Sequence, residues 1–117
     1  MRRKDTTHEM MMGYMTGALL ELMLEKDYTK ISIGEIAKKA GVDRSSYYRH
    51  FKSKEDIISF FFDMVLKESL DGYTNLSSID FTLYIHSIYT AFFNYRKEIL
   101  IIHYANLSFL LLDVLSM

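Results

Sequence analysis

The chain contains no cysteine and no proline, and only 5 of its 117 residues are glycine. Without cysteine there are no disulfides and no thiolate metal sites, which suits a reducing compartment. Without proline the strongest helix breaker is missing, and glycine, the next strongest, is scarce. Together with 50% hydrophobic residues, this composition predicts a small all-α fold with a modest core.

Export and membrane signals are missing as well. The start of the chain, MRRKDTTHEMMMGYM, is basic, but acids and a glycine interrupt its apolar run and no cleavage-like site follows. The apolar stretch near the C-terminus is too short and too interrupted for a convincing membrane span. We therefore expect a cytoplasmic protein without a membrane partner.

Charge is unevenly distributed, although the net charge is only −1. Residues 1–54 hold 11 Lys/Arg against 7 Asp/Glu, whereas residues 55–117 hold 3 against 8. A basic first half attracts a polyanion even when the whole chain is close to neutral. The first half is therefore the place to look for a nucleic-acid site.

The stretch 33–54, IGEIAKKAGVDRSSYYRHFKSK, predicts two short helices separated by a single glycine. Ser32 and Glu35 have the spacing of a capping box, which starts a helix just after the serine. Gly41 ends that helix, because glycine adopts the left-handed conformation without a Cβ clash. Asp43 is placed to cap the next helix. This order of elements is typical of a helix-turn-helix.

The second of these helices has one apolar face and one polar face. Tyr47 and Phe51 are four residues apart and predict the inward face. The outward side chains are nearly free of acid, and each can donate a hydrogen bond to a phosphate or a base edge. They are Arg44, Ser45, Ser46, Tyr48, Arg49 and His50. A solvated surface helix is the plainer alternative, but the capped helix and glycine turn before it favour DNA binding.

Here the chain resembles the tetracycline-repressor (TetR) family of bacterial transcription factors. The resemblance covers about the first half, in ALLELMLEKDYTKISIGEIAKKAGVDRSSYYRHFKSKEDII. The residues that match the end of the family's pattern are Tyr48, His50, Phe51, Ser53, Lys54 and Glu55. It implies a three-helix DNA-binding bundle, followed by a connecting helix and two further apolar helices.

The resemblance also implies roles for individual residues. Arg44, Ser45 and Ser46 are implied to read base or groove edges, with Arg49 on the same side of the helix. Phosphate contacts are implied for Tyr48, His50, Lys54 and, through the N-terminus of the preceding helix, Ser32. Two interpretations of Arg2, Arg3 and Lys4 stay open: they form an arm along the DNA, or they are a solvated start of the chain. At most, a nonspecific contact with phosphates is predicted for them.

Two positions depart from the family's pattern. Gly34 stands where a long polar residue often reaches the groove, so that contact is absent and specificity rests more on the second helix. Asp27 stands where glycine is usual, and aspartate tolerates left-handed backbone less well than glycine.

The helices on either side follow from spacing. A first helix is expected from about Thr7 to Lys26, and its methionines are interpreted as core. Its predicted inward residues are Met11, Met15, Ala18, Leu19, Leu22 and Met23. Ser53 and Asp56 form a second capping-box pattern and predict a fourth helix that reaches Lys67 or Ser69. The predicted apolar stripe of this helix is Ile57, Phe60, Phe61, Met64 and Val65.

The sequence predicts two parts of the chain. Residues 1–54 form a DNA-binding domain, and residues 55–117 form a connecting helix with an effector or dimerisation region. A third capping pattern, at Ser77 and Asp80, predicts a fifth helix from about Ile79 to Tyr95. The last stretch, ILIIHYANLSFLLLDVLSM, is apolar on nearly every face of one helix and therefore needs a cover. Two covers stay open: its copy in a homodimer, or further helices of a longer protein.

Aromatic residues are concentrated in the second half, where 12 of the 17 lie after residue 54. An aromatic-rich core is the ordinary interpretation, and an apolar pocket for a small effector is the sharper one. The candidate ligand-binding residues are Tyr84, Tyr89, Phe92, Phe93 and Tyr104.

Three functional classes follow. The leading prediction is a DNA-binding regulator, as a repressor that pairs into a homodimer on an inverted-repeat operator and is released by a small apolar ligand. The second is a protein-interaction module or corepressor subunit that works through the apolar C-terminal helix, and the third is a small-molecule binder without DNA function.

An enzyme is not predicted, since Ser46 and His50 lack an orienting acid. No metal or cofactor is predicted, because His8, His86 and His103 are scattered.

Overall fold

The computed structural model describes residues 2–70 and 81–116, and within these ranges the chain is helical with no strand. The all-α prediction is confirmed. Seven α-helices and one 3₁₀ turn lie in these ranges: α1 Arg2–Glu25, the 3₁₀ turn Tyr28–Lys30, α2 Ile33–Ala40, α3 Arg44–His50, α4 Lys54–Leu70, α5 Phe81–Asn94, α6 Arg96–Tyr104 and α7 Phe109–Leu115.

Helix α1 begins at Arg2, earlier than the predicted Thr7, and ends at Glu25. No glycine or proline separates the two starts, so nothing in the sequence stops the helix from extending. The side chains of Arg2, Arg3 and Lys4 lie outside the part that the structure describes. Four of the six predicted inward residues are buried, and Met11 and Met23 are half-buried. Thr16 and Leu20 are buried as well, which was not predicted.

The turn after α1 does not place Asp27 in the left-handed backbone conformation that the family pattern suggests. This residue has φ −60° and ψ 138°, which is extended backbone, and it precedes the 3₁₀ turn. Because the chain turns here without a left-handed residue, aspartate in place of glycine carries no conformational strain.

The capping pattern before α4 is only half formed. The backbone N–H of Asp56 donates to Ser53 Oγ at 3.3 Å, as predicted. The Asp56 carboxylate, however, accepts from the backbone N–H of Lys52 at 2.7 Å and not from that of Ser53. Of the predicted stripe, Phe60 and Met64 are half-buried and the other three are buried, together with Ile58 and Phe62.

Helix α5 covers most of the predicted fifth helix and ends at Asn94, one residue before the expected Tyr95. The predicted cap at Ser77 and Asp80 lies outside the described residues. Tyr95 separates α5 from α6, and its hydroxyl donates to Glu68 at 2.6 Å. This hydrogen bond and partial burial raise the pKa of Tyr95 to about 12.

The prediction of one C-terminal helix is wrong, and three helices rather than two follow α4 in the described chain. The break is at Asn106, which has φ 63°. The N–H of Asn106 donates to His103 O at 2.9 Å, and that of Leu107 donates to Ile102 O at 3.1 Å. This pair of bonds is the Schellman arrangement, in which asparagine can replace glycine at the left-handed position.

The chain divides into two compact units, Met1–Ile58 and Ser59–Met117, here called the first and second units. In the first unit α1 packs against α2, and α2 packs against α3. Leu19, Ile36, Tyr47 and Ile57 are fully buried there. The predicted functional boundary between residues 54 and 55 is a separate matter and stays a prediction.

Among the described helices, none is by itself long and apolar enough to cross a membrane. Only α6 and α7 taken together pass that test of length and composition, and they are bent by 117° at the break between them.

Candidate nucleic-acid interface

The first helix of the predicted motif, α2, has both of its predicted ends. Ser32 Oγ accepts from the backbone N–H of Glu35 at 3.1 Å, and Glu35 Oε1 accepts from the backbone N–H of Ser32 at 3.0 Å. Gly41 has φ 75° and ψ 30°. Its N–H donates to Lys38 O, and the N–H of Val42 donates to Ala37 O. The capping box and the left-handed glycine are confirmed.

Helix α3 presents the predicted face to the core. Tyr47 is 0% exposed and Phe51 is 3% exposed, with their ring centroids 5.8 Å apart. This orientation leaves the predicted outward residues at the surface. Arg44, Ser45, Tyr48 and Arg49 are exposed, and Ser46 and His50 are half-exposed. Asp43 precedes α3 with extended backbone, but its side chain makes no capping hydrogen bond, which corrects that prediction.

One polar atom of this core has no partner. The Tyr47 hydroxyl is buried and forms no hydrogen bond within the described chain. Burial, with the nearby Asp56 and Glu55 carboxylates, raises the pKa of Tyr47 to about 12. The hydroxyl is therefore neutral, and it carries the desolvation cost of an unsatisfied polar group.

Four basic side chains of the first unit are not paired with carboxylates of the described residues. Arg44, Arg49, Lys30 and Lys52 are exposed, and none of the four forms an ion pair with the described residues. Sequence reasoning did not single out Lys30 and Lys52, although both contribute to the basic balance of the first half. Unpaired cations on one unit give the positive potential that attracts phosphate.

One acid of α2, Glu35, is engaged in a hydrogen-bond network. Glu35 accepts from Lys26 Nζ at 2.7 Å. Hydrogen bonds from Lys26 and from the Ser32 backbone lower the pKa of Glu35, so it stays charged and bound. Ser32 Oγ only accepts in this network, so its own O–H is still available as a donor to a phosphate.

Lys54 is held by the 3₁₀ turn. Its Nζ donates to Tyr28 O at 2.8 Å and lies 4.3 Å from the centroid of the Tyr28 ring. The Tyr28 hydroxyl donates to Glu55 Oε2 at 2.5 Å. Burial, followed by the contact with Glu55, raises the pKa of Tyr28, so the phenol remains a donor. Sequence reasoning missed these contacts, because nothing local connects position 28 with 54 and 55.

His50 lies against another imidazole. The ring centroids of His8 and His50 are 4.2 Å apart in an edge-to-face arrangement. Desolvation, then His8 and Arg49, lower the pKa of His50. His8 is far from His50 in the sequence, and the packing of α1 beside α3 brings the two rings together. No group of three or more metal-ligating side chains exists among the described residues.

The candidate ligand-binding aromatics lie in the second unit and are largely at its surface. Tyr89 is 67% exposed, Phe93 is 50% exposed and Tyr104 is 79% exposed. Tyr84 and Phe92 are half-buried. Tyr89 and Phe93 stack on each other with centroids 6.2 Å apart. Ligand binding by these five residues stays a prediction.

The segment that contains this geometry is similar to known proteins. Residues 16–59 match the model described as bacterial regulatory proteins, tetR family. Residues 16–59 therefore carry a match to the TetR family, which covers less than half of the chain. Every residue assigned above to the DNA-binding surface by TetR resemblance lies inside the matched range.

Individual relatives also match part of the chain. The HTH-type transcriptional regulator EthR of Mycolicibacterium smegmatis is 33% identical over 54 residues, 46% of this chain and 25% of EthR. The HTH-type transcriptional regulator AcrR of Shigella flexneri is 48% identical over 40 residues, 34% of this chain and 19% of AcrR. The chain thus matches a quarter or less of each of these two relatives. No solved structure matches the chain significantly.

Proposed function

We propose that the first unit binds double-stranded DNA through α3 and that the chain acts in sequence-specific regulation of transcription. The observation that carries this proposal is the surface of α3, where Arg44 and Arg49 are exposed beside exposed hydroxyl groups and form no ion pair with the described residues. Two acids of this unit, Glu35 and Glu55, are hydrogen-bonded to other side chains. The TetR-family match over residues 16–59 supports the same function.

The roles of the residues divide by position on the helices. Arg44, Ser45 and Ser46 form the first turn of α3, the part of a recognition helix that contacts base edges. Tyr48, Arg49, His50 and Lys54 supply hydrogen bonds and charge to phosphates, with Ser32 at the start of α2. Gly34 adds no side chain to the groove. Sequence preference is therefore expected to depend mainly on the first turn of α3.

A homodimer on an inverted repeat is the proposed binding form. One helix-turn-helix covers a few base pairs, whereas two related by a twofold axis double the contact and read two half-sites about one helical turn apart. Occupying a promoter in this way would make the protein a repressor. Release by a small apolar ligand on the second unit completes the proposal, with Tyr84, Tyr89, Phe92, Phe93 and Tyr104 as candidates.

A selection of bound sequences from random duplex DNA by the purified full chain tests this proposal. The selected sites are expected to share an inverted repeat. Arg44→Ala should cost about 1–3 kcal/mol at one base position per half-site. Tyr48→Ala should weaken binding to all sequences alike.

Lys97→Ala is the matched control, because Lys97 is an exposed cation of the second unit. It should bind as the unaltered chain does, over the same range of salt. If Arg44→Ala, Tyr48→Ala and Lys54→Ala all bind like this control, α3 is not the DNA-reading element.

A protein-interaction module is the second candidate, and one observation favours it. Helix α7 exposes Phe109 by 55%, Leu112 by 65% and Leu115 by 58%. An exposed apolar face of this kind is typical of an interaction surface. If this candidate is right and the first is wrong, Leu112→Asp abolishes association while no duplex DNA is bound at any salt concentration.

A further inference from the structure

The contacts of Lys54 show that its position depends on one residue far away in sequence. Lysine has a long flexible side chain, so a lysine that contacts phosphate gains from being held in advance. Here Lys54 is half-buried, and its Nζ is bound to the carbonyl oxygen of Tyr28 at 2.8 Å. The same ammonium lies 4.3 Å from the centroid of the Tyr28 ring. Two different parts of Tyr28 therefore fix the lysine.

The other end of Tyr28 is fixed as well. Its hydroxyl donates to Glu55 Oε2 at 2.5 Å. Residues 54 and 55 are consecutive in the first turn of α4, so this turn contacts the carbonyl, the ring face and the hydroxyl of one tyrosine. The ring cannot rotate away from Lys54 without breaking the bond to Glu55.

The bond to Glu55 also has an electrostatic consequence. A carboxylate next to a lysine can pair with it and cancel its charge. No ion pair joins Lys54 and Glu55 in the described chain, and the Glu55 carboxylate is hydrogen-bonded to the phenol. An ammonium has three N–H donors, and the Tyr28 carbonyl uses one, so two remain for phosphate oxygens.

We propose that Tyr28 is a positioning residue for the phosphate contact of Lys54: it holds the ammonium in place and keeps Glu55 from pairing with it. This inference rests on the proposed DNA-binding function. Tyr28 itself needs no contact with DNA to act in this way.

The test measures the affinity of the full chain for a mixed-sequence 30-base-pair duplex at several salt concentrations. Lys54→Met should lower the slope of log K against log salt by about 0.9, the value for one phosphate contact. Tyr28→Phe keeps the carbonyl and the ring but releases Glu55. It should weaken binding about threefold to tenfold at low salt, since a free neighbouring acid neutralises the lysine.

Two double variants separate this role from a merely structural one. In a Lys54→Met background, Tyr28→Phe should change the affinity less than about twofold, because the positioned group is gone. In a Glu55→Gln background, Tyr28→Phe should bind within about twofold of the unaltered chain, because the competing charge is gone. Loss of fold alone would produce neither result.

The inference is overturned if Tyr28→Phe binds DNA like the unaltered chain while Lys54→Met binds more weakly. It is equally overturned if Tyr28→Phe weakens binding by the same factor with and without Lys54, or if Glu55→Gln fails to restore binding. If Lys54→Met, Tyr48→Ala and Arg49→Ala all leave the affinity unchanged, the proposed DNA-binding function fails first, and the inference falls with it.

Discussion

The two units differ in what they leave at their surfaces. Within its described residues the first unit exposes few large apolar side chains, which are Met10, Tyr14, Leu24 and Tyr48. The second unit exposes such side chains on each of its last three helices, namely Leu83, Ile85, Tyr89, Phe93, Leu100, Tyr104, Phe109, Leu112 and Leu115. The first unit thus closes its own core and offers cations. The second leaves more large apolar side chains exposed, which is typical of an interaction surface.

Helix endings show that this difference does not come from local structure. Helices α2 and α6 both end in a left-handed residue, Gly41 with φ 75° and Asn106 with φ 63°. Both endings have the same pair of backbone hydrogen bonds. Helix α6 of the second unit therefore ends in the same way as α2 of the first. The second unit differs in the number of large apolar side chains that its short helices leave exposed.

Truncating one apolar side chain in each unit should give the largest difference in the free energy of unfolding. Ile36→Ala removes a side chain that is 0% exposed, so we expect a loss of about 2–5 kcal/mol in the free energy of unfolding. Leu112→Ala removes one that is 65% exposed, and a change within about 0.5 kcal/mol is expected in the monomer. Urea unfolding of both variants measures this. Equal losses would mean that α7 is covered in solution and would break the comparison.

The left-handed positions give the next largest effect. Gly41→Ala places a Cβ at φ 75° and should cost about 1–2 kcal/mol. Asn106→Gly relieves a smaller strain at φ 63° and should stabilise the second unit by up to about 1 kcal/mol. Thermal unfolding followed by circular dichroism tests both. A loss of stability in Asn106→Gly would show that the asparagine side chain makes a contact that matters more than its backbone.

Removal of the buried Tyr47 hydroxyl should stabilise the first unit. Tyr47→Phe removes a buried group that has no hydrogen-bond partner, and a gain of about 1 kcal/mol is expected because its desolvation cost disappears. Tyr48→Phe is the control, since Tyr48 is 55% exposed, and it should leave the urea midpoint unchanged. If Tyr47→Phe destabilises the protein, a water or a partner satisfies this hydroxyl in solution.

The smallest expected effect is a pH dependence of the first unit. Because the pKa of His50 is lowered in the folded state, the unfolded chain binds a proton more readily. Stability should therefore fall as the pH drops through the ordinary histidine pKa of about 6.5 and then level off below the folded-state pKa. Unfolding midpoints measured from pH 8 to pH 5 should show this slope, and His50→Gln should flatten it. His86→Gln, an exposed histidine of the second unit, should not.

Much of the fold was predictable because its determinants are local. The capping box of Ser32 and Glu35, the glycine at 41 and the four-residue spacing of Tyr47 and Phe51 all act within one or two turns, and all were confirmed. The break at Asn106 was missed although its cause is equally local. Asparagine followed by an apolar residue at a helix end is the pattern that would have revealed it.

The sequence by itself determined the helical class, the ends of α2 and the face of α3 that points outward, because periodicity and caps depend only on neighbouring residues. Tertiary structure alone decided which distant groups meet: Tyr28 with Lys54 and Glu55, and His8 with His50. Such contacts depend on how helices pack, and packing is a sum of many weak interactions that no single spacing encodes. The contacts of Tyr28 hold Lys54 in place, and no local pattern reveals this.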